Sequence, residues 1–209
     1  MCGRFSLAVT HKSLTEHFNV KKGIFFESRY NIAPGELIPI IKIMGELEFL
    51  RWGFVPKFKA NQEKEPGFIN VRSETVLDKI SFRQAFIRQR CLVMANGFYE
   101  WKKIGKTKQP FFVHQKDNTL FAMAGIWEGS TFGILTRAAN PLIAPIHDRM
   151  PVIIPAEHYS AWLDVKTPME KLSKLLLQPL SCEQFEVYPV SPKMNNARFE
   201  SSLCVDSLQ

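Results

Sequence analysis

Short apolar runs, broken at close intervals by turn residues, constrain the fold of this 209-residue sequence more than any other feature. Residues 37–43 (LIPIIKI) and 47–52 (LEFLRW) meet across Met44-Gly45, which predicts a β-hairpin. Further strands are predicted over 90–95, 98–103, 110–114, 120–127 and 131–136, with Ile104-Gly105-Lys106 and Lys116-Asp117-Asn118 as turns between them. Strands at such short spacing predict a mainly antiparallel sheet that curls into a β-barrel-like core.

Helices fill the gaps. One is expected after Thr10, with Leu14 and Phe18 four apart, and another after Ser81, capped with Gln84 and burying Phe82 and Phe86. Pro155 opens a third, carrying Tyr159, Trp162 and Leu163. Thr167-Pro168-Met169-Glu170 reads as a capping box with proline at the first helical position, ahead of an inward stripe of Leu172, Leu175 and Leu176. The expected architecture is one α+β domain over residues 1–209 with peripheral helices and a loosely ordered tail after about Arg198.

At 45% hydrophobic and 22% charged residues the composition is globular, and no apolar run is long enough to cross a bilayer. The start, Met1-Cys2-Gly3-Arg4-Phe5, lacks the pattern of a secretory signal, so a cytoplasmic chain that keeps its own terminus is expected. A net charge of +7 favours a polyanionic partner, although many proteins of similar charge bind no nucleic acid. Cys2, Cys91, Cys182 and Cys204 form no CxxC pair, and the five histidines show no ligand spacing; no disulfide framework, metal or cofactor is expected.

Among residues able to carry chemistry, Cys2 stands out by its address. Removal of Met1 gives one residue both an α-amine and a thiol, a 1,2-aminothiol that condenses with an aldehyde to an imine and then closes a thiazolidine ring. By position alone, Cys2 reads more readily as an incidental small buried hydrophobe. Glu100, set among aromatics in Phe98-Tyr99-Glu100-Trp101, suits proton transfer if burial raises its pKa, or else pairs structurally with a basic residue. His147, in Ile146-His147-Asp148-Arg149, is the histidine best placed for acid–base work, with Asp148 or Arg149 to tune it. Asn70, Arg72 and Glu74 alternate as at a half-exposed strand end. Asn70 is suited to hydrogen-bond a reacting centre and Arg72 to pair with a phosphate. Trp52 and Phe54, followed by Lys57, suit base stacking beside a basic track, a pattern that core packing also produces. Lys102, Lys103, Lys106 and Lys108 form a basic hairpin edge that attracts phosphate or protects the edge.

Six blocks occur together in order. They are Met1-Cys2-Gly3-Arg4-Phe5, Arg29-Tyr30-Asn31-Ile32-Ala33-Pro34-Gly35, Trp52-Gly53, Asn70-Val71-Arg72-Ser73-Glu74-Thr75, Gly97-Phe98-Tyr99-Glu100-Trp101 and Ile146-His147-Asp148-Arg149-Met150-Pro151. With Asn195-Asn196 near the end, they closely resemble the SOS-response-associated peptidase (SRAP) family. The resemblance implies a protein that shields abasic sites in single-stranded DNA through a thiazolidine crosslink to Cys2. It implies that Asn70 and Glu100 position and protonate the reacting groups, and that His147 assists sugar ring opening and reversal. It also implies phosphate contacts from Arg4, Arg72 and Arg149, a stacking wedge of Trp52 and Phe54, and a pocket lined by Thr136. Lyase chemistry through the same imine and self-catalysed loss of Met1 are associated expectations, as is a nucleoid location when DNA is bound. Two other readings use the same residues. One is a cysteine peptidase or N-terminal-nucleophile amidase, with His147 as base and Glu100 orienting it; the other is a non-catalytic single-strand binder in which Cys2 is irrelevant.

Overall fold

The computed structural model describes residues 2–22, 24–62, 67–177 and 181–208. Its strands are β1 (Arg4–Leu7), β2 (Arg29–Ile32), β3 (Leu37–Ile43), β4 (Glu46–Trp52), β5 (Asn70–Arg72), β6 (Arg90–Ala95), β7 (Gly97–Ile104), β8 (Thr107–Gln115), β9 (Phe121–Glu128), β10 (Thr131–Ala138), β11 (Arg149–Pro151), β12 (Ile153–Ile154) and β13 (Phe185–Pro189). The helices are α1 (His11–His17), α2 (Ile80–Arg88), α3 (Tyr159–Leu163) and α4 (Met169–Leu177). The fold is mixed α+β, with strands predominating.

One sheet has the order β13-β8-β7-β1-β2; the other runs β11-β10-β4-β3-β6-β9-β12. Because β10 also pairs with β9, the strands β10, β4, β3, β6 and β9 close into a ring. Pairing is antiparallel apart from β10 against β4 and β10 against β5. Gly125 marks the seam: a Cβ there would stand 2.7 Å from the Cys91 sulfur, so only glycine lets β9 lie so close to β6. Strand β6 is buried at every position, since α2 and α3 pack on it while it contributes to the ring. Trp52 stacks on Phe132 with ring centroids 6.4 Å apart, and Phe5 meets Trp52 edge-on at 5.1 Å, which joins β1 to the ring's core.

The helix starts follow local chemistry. The Thr10 hydroxyl accepts from the Ser13 N–H at 3.1 Å and caps α1 as expected. Helix α2 begins one residue before Ser81, with Lys79 at the cap and no side-chain capping bond, so the expected Ser81–Gln84 box does not form; Phe82 and Phe86 are nonetheless its buried stripe. Pro155 precedes a 3-10 turn rather than directly opening α3. The Thr167 hydroxyl donates to the Ala161 carbonyl at 2.6 Å, tying the approach of α4 to α3.

Arg90 joins the two helices behind β6. The side chain is only 3% exposed. Its guanidinium donates to the carbonyls of Phe86 (2.7 Å) and Ile87 (2.6 Å) in α2, and to those of Trp162 (2.6 Å) and Asp164 (2.7 Å) at the end of α3. One cation thus satisfies the orphan carbonyls of two helix termini.

The segment after Arg198, expected to be loose, is bound to the body. Asn31, fully buried, donates through Nδ2 to the carbonyls of Met194 (3.1 Å), Asn196 (3.1 Å) and Phe199 (2.9 Å). Glu200 accepts from the Arg29 Nε at 3.0 Å and from the Tyr30 main-chain N–H. Cys204 packs with Tyr99, Phe112, Val190 and Met194, and Ser207 bridges to Val190. The polar composition of the tail concealed these anchors, because the partner that fixes them lies far back in the sequence. Among the described residues no helix is long and apolar enough to cross a membrane.

Candidate active site

The site assembles where β1 stops pairing with β7. Their register ends at Arg4 opposite Tyr99, which leaves the β7 edge from Glu100 onward uncovered by β1. Cys2 lies just before β1, fully buried, and its carbonyl accepts from the Asn70 Nδ2 at 2.8 Å. Asn70 is placed there by β5, which runs parallel to β10 with Asn70 opposite Ile134 and Arg72 opposite Thr136. The Asn70 Oδ1 is buried with no hydrogen-bond partner among the described residues, an acceptor held ready for a donor.

Glu100 on β7 acts electrostatically on the Cys2 thiol, raising its pKa further above a value already lifted by burial. The thiol therefore stays protonated at neutral pH. It lies 3.8 Å from the Arg4 carbonyl. Burial pushes Glu100 itself up to about 7; the positive charge at the amino terminus opposes the rise and Asp148 assists it. A carboxyl titrating near neutrality can both take and return a proton.

The sign of the linkage is testable. From the ordinary carboxylate range up to about 7 the folded protein binds more protons at Glu100 than the unfolded chain does, so stability falls as pH rises through that window. The loss above it amounts to roughly 3 kcal/mol. Glu100→Gln, close in shape and uncharged, is expected to melt at higher temperature than the parent at pH 8, with the advantage vanishing towards pH 4. Equal melting temperatures at both pH values would remove the raised pKa.

His147 precedes β11. Its Nδ1 accepts from the Arg149 main-chain N–H at 3.0 Å and lies 2.9 Å from the Asp148 carboxylate. Burial holds its pKa below the ordinary histidine value, aided by the positive charge at the amino terminus and opposed by Asp148. A neutral imidazole accepting at Nδ1 carries its proton on Nε2. Glu100 and His147 line one cleft of about 600 Å³ with Arg4, Trp101, Lys103, Lys108 and Asn195. Cys2, fully buried, and Asn70 are not among the residues that line it. Met1 lies outside the described residues.

The remaining sequence candidates divide. Arg72 is exposed and stands at the end of β5. Arg4 is half-buried, and its guanidinium donates to the Asn31 Oδ1 (2.8 Å) and the Met194 carbonyl (3.2 Å) while still lining the cleft. Arg149 is committed elsewhere. It grips Glu74 with two bonds (2.6 and 2.8 Å) and donates to the Thr136 carbonyl (2.7 Å). That pairing holds Glu74 below the usual carboxylate range. Arg149 is thus a brace between β10 and the turn after β5. Thr136, itself fully buried, supports this brace and exposes no surface to a ligand.

Trp52 and Phe54, expected as a stacking wedge, are corrected by the structure. Both are core residues, and the Trp52 indole N–H is satisfied by the Ile69 carbonyl at 2.9 Å. The alternation around the end of β4 turns both rings inward, where no base can reach them. The sequence reading missed Asn31, Trp101 and Asn195. The Trp101 Nε1 donates to the Asn195 Oδ1 at 2.6 Å, fixing the cleft wall across 94 positions of chain. Asn31 and Asn195 both fall within blocks that carried the family resemblance, the one signal that pointed to them. Among the described residues no group of three or more His, Cys, Asp or Glu side chains could hold a metal ion.

The family model for SOS response associated peptidases (SRAP) matches residues 1–197. The chain belongs to the SRAP family. Among curated relatives of this SRAP chain, abasic site processing protein YoqW of Bacillus subtilis (strain 168) is 35% identical, covering 99% of this chain and 100% of the relative. Abasic site processing protein YedK of Escherichia coli (strain K12) is 29% identical over 95% of this chain and 96% of its own length. Abasic site processing protein HMCES of Gallus gallus is 32% identical over 75% of this chain and 56% of its own. A crystal structure of a Bacteroides thetaiotaomicron protein shares the SRAP fold with a TM-score of 0.89 at 23% identity, covering 100% of both chains.

Proposed function

We propose that this SRAP protein processes abasic sites in single-stranded DNA, capturing the open-chain sugar aldehyde as a thiazolidine on Cys2 once Met1 has been removed. The α-amine nitrogen adds to the aldehyde carbon, and water leaves as the imine forms. The thiol then adds across the C=N bond, sulfur to carbon and proton to nitrogen, closing a five-membered ring. Glu100 takes the proton from the ammonium or thiol and returns it to the departing hydroxyl. His147 donates from Nε2 to open the furanose and, in reverse, to release the link. If the imine lingers, loss of the 3′-phosphate by β-elimination gives lyase chemistry. Arg4 and Arg72 meet phosphates, and Arg149 with Thr136 positions the loop that carries His147. The captured lesion is shielded until replication or repair is complete.

The observation that carries this reading is the anchoring of the Cys2 carbonyl by Asn70 at 2.8 Å, beside a carboxyl lifted to about 7. That anchor fixes the backbone of the residue that must present both nucleophiles. The shared name of the relatives, abasic site processing protein, supports the substrate. The test mixes methionine-processed protein, verified by intact mass, with a single-stranded oligonucleotide containing one abasic site. An SDS-resistant adduct is expected, and none with the undamaged strand. Absence of adduct on the abasic strand overturns the proposal.

A further inference from the structure

The β7–β8 hairpin places two like charges against each other beside the cleft. Its register sets Lys103 directly opposite Lys108, and both are exposed. Like charges directly opposed on an antiparallel pair weaken it. Neither lysine has an ion-pair partner among the described residues. Both line the cleft that holds Arg4, Glu100 and His147. The base of the hairpin is also held in place: Asn195 accepts from the Trp101 indole at 2.6 Å and donates to the Lys108 carbonyl at 3.4 Å. The two ammonium groups therefore project from a braced wall rather than from a loose tip. An anion seated between them would relieve the repulsion.

We propose that Lys103 and Lys108 form a two-pronged clamp for one phosphodiester of the single strand where it leaves the cleft. Arg4 stands opposite Tyr99, four residues from Lys103 along β7, a separation of about 13 Å at strand rise. The clamp therefore meets a different phosphate from the one beside Arg4, and gives the strand a second grip away from the lesion. This inference rests on the proposed DNA substrate and adds where its backbone runs.

The test measures binding of an undamaged oligothymidine as a function of salt, in a Cys2→Ala background so that no covalent link forms. Losing one phosphate contact lowers the slope of log K against log salt by about 0.7 for single strands. Lys103→Gln/Lys108→Gln is expected to show that fall; Lys79→Gln/Lys171→Gln, equal in charge but not lining the cleft, is expected to keep the parental slope. Lys103→Glu pairs with Lys108 across the strands, so its melting temperature should hold or rise while DNA binding weakens, which separates the effect from misfolding. An unchanged slope in the Lys103/Lys108 variant, or an equal fall in the Lys79/Lys171 pair, overturns the clamp. Failure of the parent to crosslink an abasic strand would remove the capture chemistry but leave this slope comparison intact.

Discussion

Cys2→Ala is expected to abolish the SDS-resistant adduct with an abasic-site oligonucleotide, yet to leave an imine that borohydride traps. The variant keeps the α-amine, so condensation with the aldehyde still occurs; it lacks the sulfur that closes the ring. An open imine hydrolyses, and only reduction preserves it. Because Cys2 is fully buried and its side chain is small, exchange for alanine removes one sulfur's volume and is expected to cost only about 1 kcal/mol of stability. Circular dichroism and DNA binding should therefore remain close to the parent, which isolates the chemical step. Gel electrophoresis with and without borohydride reads both outcomes. Adduct formed by Cys2→Ala without reductant, in parental yield, would show that sulfur plays no part.

Arg90→Met should lower the free energy of unfolding by about 3–5 kcal/mol. Methionine fills much of the space but donates nothing, and four carbonyls lose their partner. The bonds to Phe86 and Trp162 are buried, where an unsatisfied carbonyl costs roughly 1–3 kcal/mol each. For a chain of this size the melting temperature is expected to fall on the order of 10 °C. Arg90→Lys should fall between the two, because a single ammonium cannot span both helix ends with the fork geometry of a guanidinium. Burial lowers the Arg90 pKa, opposed by Asp164. Chemical denaturation of the two variants beside the parent measures this directly, and a loss below about 1 kcal/mol would refute the assigned role.

The strand-rich fold was legible because its strongest signals are local. The hairpin of β3 and β4 falls at Met44-Gly45, with Gly45 at a positive φ of 86°, and β6 spans the expected residues 90–95. What local pattern could not show is closure: the parallel pairing of β10 with β4 and β5 joins segments with no shared turn, and two-residue strands such as β12 carry too little periodicity to register. The same division applies to the site. Glu100 and His147 were marked by unusual surroundings and do share a cleft. Trp52 and Phe54 carried an aromatic signature common to core and surface, and only the inward turn of each ring at the end of β4 tells the two apart. The resemblance implies a phosphate contact for Arg149, whose guanidinium grips Glu74, a residue of the block that also contains Arg72.

The order in which these parts leave the ribosome gives the ring of strands a temporal meaning. The segment bearing Cys2 is made before β10, which positions Asn70 through β5, and before His147, both of which follow more than a hundred residues later. At ordinary synthesis rates that delay lasts roughly 7–30 s. During it the growing chain has neither the β10-held Asn70 anchor nor the imidazole of His147. The capture proposed above therefore has to wait until β10 has been made and the ring of strands has closed.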